Sequence, residues 1–128
     1  MRRRQESTRP APDAGPEAFL PLPHLPLHVL LALAEQPRHG WSIIRTIREI
    51  TSGRDNPSSG SLYLAMSRLE ERGLIEETAD AADPVDGGGR RKVYRLTELG
   101  RGVLEAETAR LASLVRLSES WSAGGRKR

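Results

Sequence analysis

Apolar residues recur along this chain at two different periods, and the change from one to the other predicts its elements. Over 27–34 the positions Leu27, Val29, Leu30, Leu31, Ala32, Leu33 and Ala34 run almost unbroken. With Pro26 suited to a first turn and Pro37 as a stop, this predicts a helix over 26–36, buried on more than one side. One side would face the domain's own core and the other a second subunit. Ile43, Ile44, Ile47 and Ile50 follow at helical spacing, so a second helix is expected over 41–52. Arg45, Arg48 and Glu49 fall on its wetter side, and Gly53 supplies a C-terminal glycine.

Asn56-Pro57 marks a turn, after which Ser58 or Ser59 is placed to cap a third helix. Leu62, Ala65, Met66 and Leu69 form its buried stripe; Gly60, Leu64, Ser67 and Glu71 form its outer face, flanked by Tyr63 and Arg68. Gly73 closes it. The period then shortens to two: a strand over 74–78, a loop over 79–89 carrying three aspartates and three consecutive glycines, and a return strand over 91–96 with Val93 and Tyr94 on opposite faces. Thr97 caps a last helix over 98–121, where Leu99, Val103, Leu104, Leu111, Leu114, Val115, Leu117 and Trp121 share one broad stripe. That stripe exceeds what one small subunit covers, and an exposed stripe of this size marks an interface.

Helix, strand, glycine-rich loop, basic strand and helix, in that order, make a winged helix-turn-helix. The fold class is mainly α (α+β), with a two-stranded wing and a long C-terminal dimerisation helix. In this arrangement one helix enters the DNA major groove and the hairpin flanks it. The expected organisation is a disordered arm over 1–22, the winged-helix domain over 23–97, the dimerisation helix over 98–121 and a disordered basic tail over 122–128.

Composition narrows the reading. The 128 residues allow one domain with a small core, and only 4% are aromatic, so that core is aliphatic and a dimer partner would help it. Cysteine is absent, which fits a reducing, cytoplasmic setting and excludes a disulfide framework. No run of 18 apolar residues exists to span a membrane, and Arg2, Arg3 and Arg4 are followed by no continuous apolar stretch of a secretory signal. Those three arginines read as a free solvated arm. The net charge of +3 leans towards an anionic partner, yet 58–100 holds six Lys/Arg against eight Asp/Glu. A DNA reading therefore rests on where the cations sit.

Three places gather that chemistry. Ser59, Gly60 and Ser61 open the third helix, where backbone N–H groups attract a phosphate. Arg68 is set to reach a phosphate or a guanine, its alternative being an i,i+3 pair with Glu71, and Tyr63 to reach a phosphate or prop the wing. Arg90, Arg91 and Lys92 follow the glycines at the wing, suited to DNA backbone or minor groove. Asp80, Asp83 and Asp86 would repel DNA and should point away. The glycine run is no nucleotide loop, since no Gly-Lys-Ser/Thr follows. His24 and His28 have i,i+4 spacing, but Pro26 lies between them and no third ligand is near, so they read as ordinary histidines rather than a metal site. His39 beside Gly40 orders a turn. Trp41 is placed in the core or at its rim, with an effector channel as the alternative. No cofactor site and no catalytic constellation is present in the sequence, so an enzyme is not expected.

Three ordered stretches carry a family resemblance: LLALAEQPRHGWSIIRTI, GSLYLAMSRLEERGLIE and GGGRRKVYRLTELG. Together they resemble the PadR family of transcriptional regulators over roughly 27–104. The resemblance implies a homodimeric regulator of double-stranded DNA, usually a repressor. It implies dimerisation through the C-terminal helix (Val103, Leu104, Leu111, Leu114, Val115, Trp121), assisted by Leu27, Leu30 and Leu31 of the first. It also implies a small aromatic or hydrophobic effector held between subunits beside a tryptophan. The short single C-terminal helix resembles the family's smaller subfamily, in which the tryptophan follows the helix-start threonine by fourteen residues; here Leu111 holds that place and Trp121 lies ten residues further on. Ser67 stands where the family commonly has lysine and keeps hydrogen bonding without the charge. Leu64 stands where proline or threonine is frequent and is suited to a thymine methyl. A winged-helix module that binds protein instead of DNA is the alternative reading.

Overall fold

The computed structural model describes residues 15–79 and 92–125. A short 3-10 turn, Pro16–Phe19, precedes helix α1, His24–Ala34. Strand β1, Arg38–His39, leads into α2, Gly40–Ile50, and then α3, Ser59–Glu71. Strands β2, Ile75–Thr78, and β3, Val93–Leu96, follow, and α4, Glu98–Gly125, completes the order. The result is mainly helical with one small antiparallel sheet, as the periods predict.

Helix α1 begins two residues before Pro26. Its first intrahelical bond runs from the Leu27 amide to the Pro23 carbonyl at 3.1 Å, so Pro26 sits where no amide donor is needed. Val29, Leu30, Ala32 and Leu33 are all buried, which the near-continuous apolar run foretold. The helix ends at Ala34, short of the expected 36, because Arg38 takes over its end. The Arg38 Nε donates to the Ala32 carbonyl at 2.7 Å, and its guanidinium pairs with Glu35 at 3.2 Å.

The sheet has three strands in the order β1-β3-β2, not the two expected. Arg38 lies opposite Tyr94 and His39 opposite Val93, while Ile75 to Thr78 pair with Leu96 back to Val93. A two-residue strand is too short to show a period, which is why the sequence did not reveal β1. As the middle strand, β3 is covered on both faces near its start: Val93 and Tyr94 are both buried. Strand β2 starts one residue later than expected, with buried Leu74 outside it.

Helix α2 is capped by His39, whose ring accepts from the Ser42 amide at 3.4 Å. Ile43 and Ile47 are fully buried, but Ile50 is exposed at the helix end, two residues before the predicted stop. Helix α3 is capped by Ser58, which accepts from the Ser61 amide at 3.1 Å. Gly73 has a φ of +79° and reverses the chain after α3, with the Leu74 amide returning to the Leu69 carbonyl at 2.9 Å. Thr97 caps α4 as expected, accepting from the Gly100 amide at 2.9 Å while donating to the Gly73 carbonyl at 2.6 Å. Gly100 is required here, since a Cβ would strike the Leu74 carbonyl.

One core unites all of these elements. Its centre is Val29, Leu30, Ile43, Ile47, Leu62, Leu74 and Val103, each with no exposed surface. Two expectations change here. Residues 15–22, assigned to a disordered arm, are folded: Phe19 and Leu22 belong to this core. Leu30, Val103 and Leu104, assigned to a dimer interface, are buried within their own protomer; Leu30 and Val103 have no area left to offer a partner and Leu104 has little. Residues 1–14, 80–91 and 126–128 lie outside the described residues, as do the arginine arm, the aspartate–glycine loop and the final Arg-Lys-Arg.

Candidate nucleic-acid interface

Helix α3 turns its Leu62, Met66 and Leu69 stripe inward and the rest outward. The predicted reading positions Ser59, Gly60, Ser61, Tyr63, Leu64, Ser67 and Arg68 are all exposed on that outer side. Leu64 exposes 53% of its surface, a large aliphatic group open to solvent among the described residues. Arg68 makes no ion pair with Glu71 or any other described residue, so its guanidinium is available to an acceptor. Ser58 and Ser61 are tied to each other, hydroxyl to hydroxyl, at 3.1 Å.

Tyr63 leans from α3 onto the first residue of α2. A Cβ on Gly40 would collide with its phenol, so glycine there lets the ring approach the helix start. Lys92, at the root of the wing, is exposed beside the same spot. His39, Gly40, Trp41, Tyr63, Lys92 and Tyr94 line a half-open cavity of about 390 Å³ there. The expected partners Arg90 and Arg91 lie outside the described residues.

Trp41 is a correction. Expected in the core or at its rim, it is 57% exposed. Its ring stacks on His39, with centroids 6.3 Å apart, and the Arg45 guanidinium sits 4.8 Å from its centroid. Tyr94, by contrast, is buried beneath the cavity. Burial raises its hydroxyl pKa first, and the nearby Glu70 and Glu77 carboxylates add to the effect, so it remains a neutral phenol.

Away from this face, His24 and His28 form a ring pair 5.8 Å apart, and His28 Nδ1 meets an Asp55 carboxylate oxygen at 2.7 Å. That contact ties α1 to the turn before α3. No group of three metal-ligating side chains occurs among the described residues. The C-terminal half of α4 is bare: Leu114, Val115, Leu117 and Trp121 are exposed, with Leu31 of α1 also open and Leu27 and Leu111 half-buried.

The sequence also missed Glu107. It interrupts the apolar stripe of α4 between Leu104 and Leu111 yet is 1% exposed. Its carboxylate accepts from the Leu22 amide at 3.0 Å and from Arg110 at 2.6 and 3.0 Å. The Arg110 hydrogen bonds hold its pKa below the ordinary carboxylate value, helped by the Leu22 amide, against the opposing effect of burial. A carboxylate inside an apolar stripe was the signal available.

The family described as "Transcriptional regulator PadR-like family" matches residues 29–106, more than half of the chain. The chain belongs to the PadR-like family. A 37.1 kDa protein of Streptomyces fradiae, carried on a transposon and described as uncharacterized, is 38% identical over 86 residues, covering 67% of this chain. The transcriptional regulator YqjI of Escherichia coli is 32% identical over 81 residues, covering 63% of this chain. This PadR-like chain spans only 22% of the first relative's length and 36% of the second's. Among solved structures, a PadR family transcription regulator from Clostridium difficile superposes with a TM-score of 0.63 at 25% identity, covering 77% of this chain and 98% of that one. The fold and the family thus agree on the PadR-like winged helix. No described helix is long and apolar enough to cross a membrane.

Proposed function

We propose that this PadR-like regulator binds operator DNA as a homodimer and represses transcription, with α3 as its reading helix. The observation that carries the reading is the outer face of α3. There Arg68 has no ion-pair partner among the described residues, Leu64 is open, and Tyr63 and Lys92 line one cavity at the wing root. Arg68 has the reach for a guanine edge or a phosphate, Leu64 for a thymine methyl, and the serines at the helix start for phosphate oxygens. Ser67 adds a neutral hydrogen-bonding group. Arg90 and Arg91 would extend the cationic edge along the backbone beside Lys92.

The bare stripe of α4, with Leu111, Leu114, Val115 and Trp121, supports a twofold partner, and Leu27 and Leu31 add to it from α1. Twofold symmetry then calls for an inverted repeat, with half-sites about one helical turn apart or a multiple of it. A small aromatic or hydrophobic molecule lodged between subunits would act by favouring a dimer whose reading helices no longer match that spacing.

The test is fluorescence anisotropy on duplexes selected from a random pool, repeated across a salt series. Saturable, sequence-selective binding whose affinity falls steeply with salt is the expected result. Equal affinity for selected and random duplexes would overturn it.

A further inference from the structure

We propose that the cavity between α2, Tyr63 and the wing root seats a phosphodiester of the DNA backbone, with Trp41 as a contact residue. This rests on the DNA-binding reading and extends it from α3 to the start of α2.

The donor set carries the argument. Trp41, Tyr63 and Lys92 border one cavity, and neither the indole N–H, the phenol hydroxyl nor the ammonium has a hydrogen-bond or ion-pair partner among the described residues. Among the described residues no carboxylate lines it. Glu70 and Glu77 reach Tyr94 electrostatically from outside that lining. Three donor-bearing side chains around one concavity, with no acid among its described lining, suit an anionic acceptor, and phosphate oxygens accept from all three kinds of group.

Rigidity argues the same way. A tryptophan 57% exposed costs the fold apolar contact with water, yet Trp41 is held in place by His39 on its ring and Arg45 across it. Arg45 brings a second cation to the rim. Gly40 is bare of a side chain where Tyr63 must come close, and that closes the cavity on the α3 side. Continuity identifies the occupant. Tyr63 belongs both to the cavity and to the exposed face of α3, and Lys92 both to the cavity and to the wing. A backbone strand that follows α3 towards Lys92 passes over the cavity between them. With its faces engaged by His39 and Arg45, the indole has its edge left for the path, and an N–H on the passing phosphate fits it.

The experiment labels the whole chain with 5-fluorotryptophan and follows 19F resonances while a selected duplex is added. The sequence has two tryptophans, so two resonances are expected, and Trp41→Phe assigns them. In parallel, anisotropy across a salt series measures Trp41→Ala and Lys92→Gln, both at exposed positions. DNA should shift the Trp41 resonance with the same midpoint as the anisotropy. Trp41→Ala should weaken binding about tenfold with its salt slope unchanged, on the order of one lost hydrogen bond to a charged acceptor. Lys92→Gln should flatten the slope by about one per subunit.

If the duplex binds while the Trp41 resonance stays put and Lys92→Gln keeps the full slope, the cavity is no phosphate seat, though the regulator still reads DNA. If the wild-type chain selects no duplex, the DNA reading itself fails and takes this site with it. A Trp41 shift produced by 1-naphthoate but not by DNA would overturn the proposal in favour of an effector pocket.

Discussion

At the scale of single residues, two glycines show how differently one added methyl group can act. At Gly40 the obstacle is the far end of the Tyr63 side chain, which can swing away; at Gly100 it is the Leu74 backbone carbonyl, which cannot. Gly40→Ala should therefore leave thermal stability nearly unchanged while it displaces Tyr63 and weakens DNA binding. Gly100→Ala should lower stability by about 1–3 kcal/mol, the usual cost of overpacking a fixed backbone. Denaturant titration beside duplex-binding anisotropy separates the two; equal losses of stability would refute the distinction. Arg68 makes a third residue-scale case. Exposed and unpaired, it contributes little to folding, so Arg68→Ala should spare stability. If it reads guanine, the change should cost about 1–3 kcal/mol of binding and relax selectivity at one base pair. Uniform weakening across all sequences would move Arg68 from base to phosphate.

At the scale of elements, the segment 15–22 and helix α4 are joined by Glu107. Phe19 and Leu22 are in the core, the Arg72 guanidinium lies 4.9 Å from the Phe19 ring centroid, and the Leu22 amide is buried against the Glu107 carboxylate. Glu107→Ala would leave that amide unpaired, at about 1–3 kcal/mol. Because the carboxylate's pKa is lowered in the folded state, its contribution is fully present above the unfolded value, 4.5, and is lost as pH falls through the folded value. Urea titrations from pH 6 down to about 3 should show stability declining below about 4.5 in the native chain. The Glu107→Gln chain should decline less steeply; an identical decline would show that Glu107 is not the linked group. The same region marks the limit of what the sequence could tell. Helices α1 to α4 were legible because apolar side chains repeat at their period, and Ser58, Thr97 and Gly73 punctuate them. Strand β1 was not, because two residues carry no period and its partner lies more than fifty residues away. The fold of 15–22 was hidden by prolines, which signal irregular chain but say nothing about whether Phe19 finds a core. Trp41 misled for a related reason: aromatic area predicts burial on average, and a tryptophan held at the surface by His39 and Arg45 is an exception only tertiary structure reveals. The outer face of α3, by contrast, was readable position by position, since a helix that buries Leu62, Met66 and Leu69 must expose what lies opposite.

At the scale of the whole molecule, the core ends before α4 does. Val103, Leu104 and Glu107 are buried, Leu111 is half-covered, and Leu114, Val115, Leu117 and Trp121 are open to solvent. A contiguous apolar face of this kind is costly in water unless something covers it, and a second copy brings the same face in self-complementary form. In the proposed dimer, pairing two protomers would convert binding of the second half-site into an intramolecular event, raising avidity well beyond a single reading helix. This ties assembly to function in a way one pair of variants can examine. Leu114→Glu places a charge in the middle of the stripe, and Trp121→Ala removes its largest apolar side chain; neither touches the buried core of the winged helix. Sedimentation should show the native chain as a dimer and Leu114→Glu as a monomer with unchanged helical content, Trp121→Ala falling between. The monomer should then bind a single half-site weakly, with a salt dependence about half as steep, because each subunit brings its own share of phosphate contacts. A monomeric variant that retained the full slope and affinity would mean that one protomer carries the entire DNA interface, and the twofold reading of the operator would have to be abandoned.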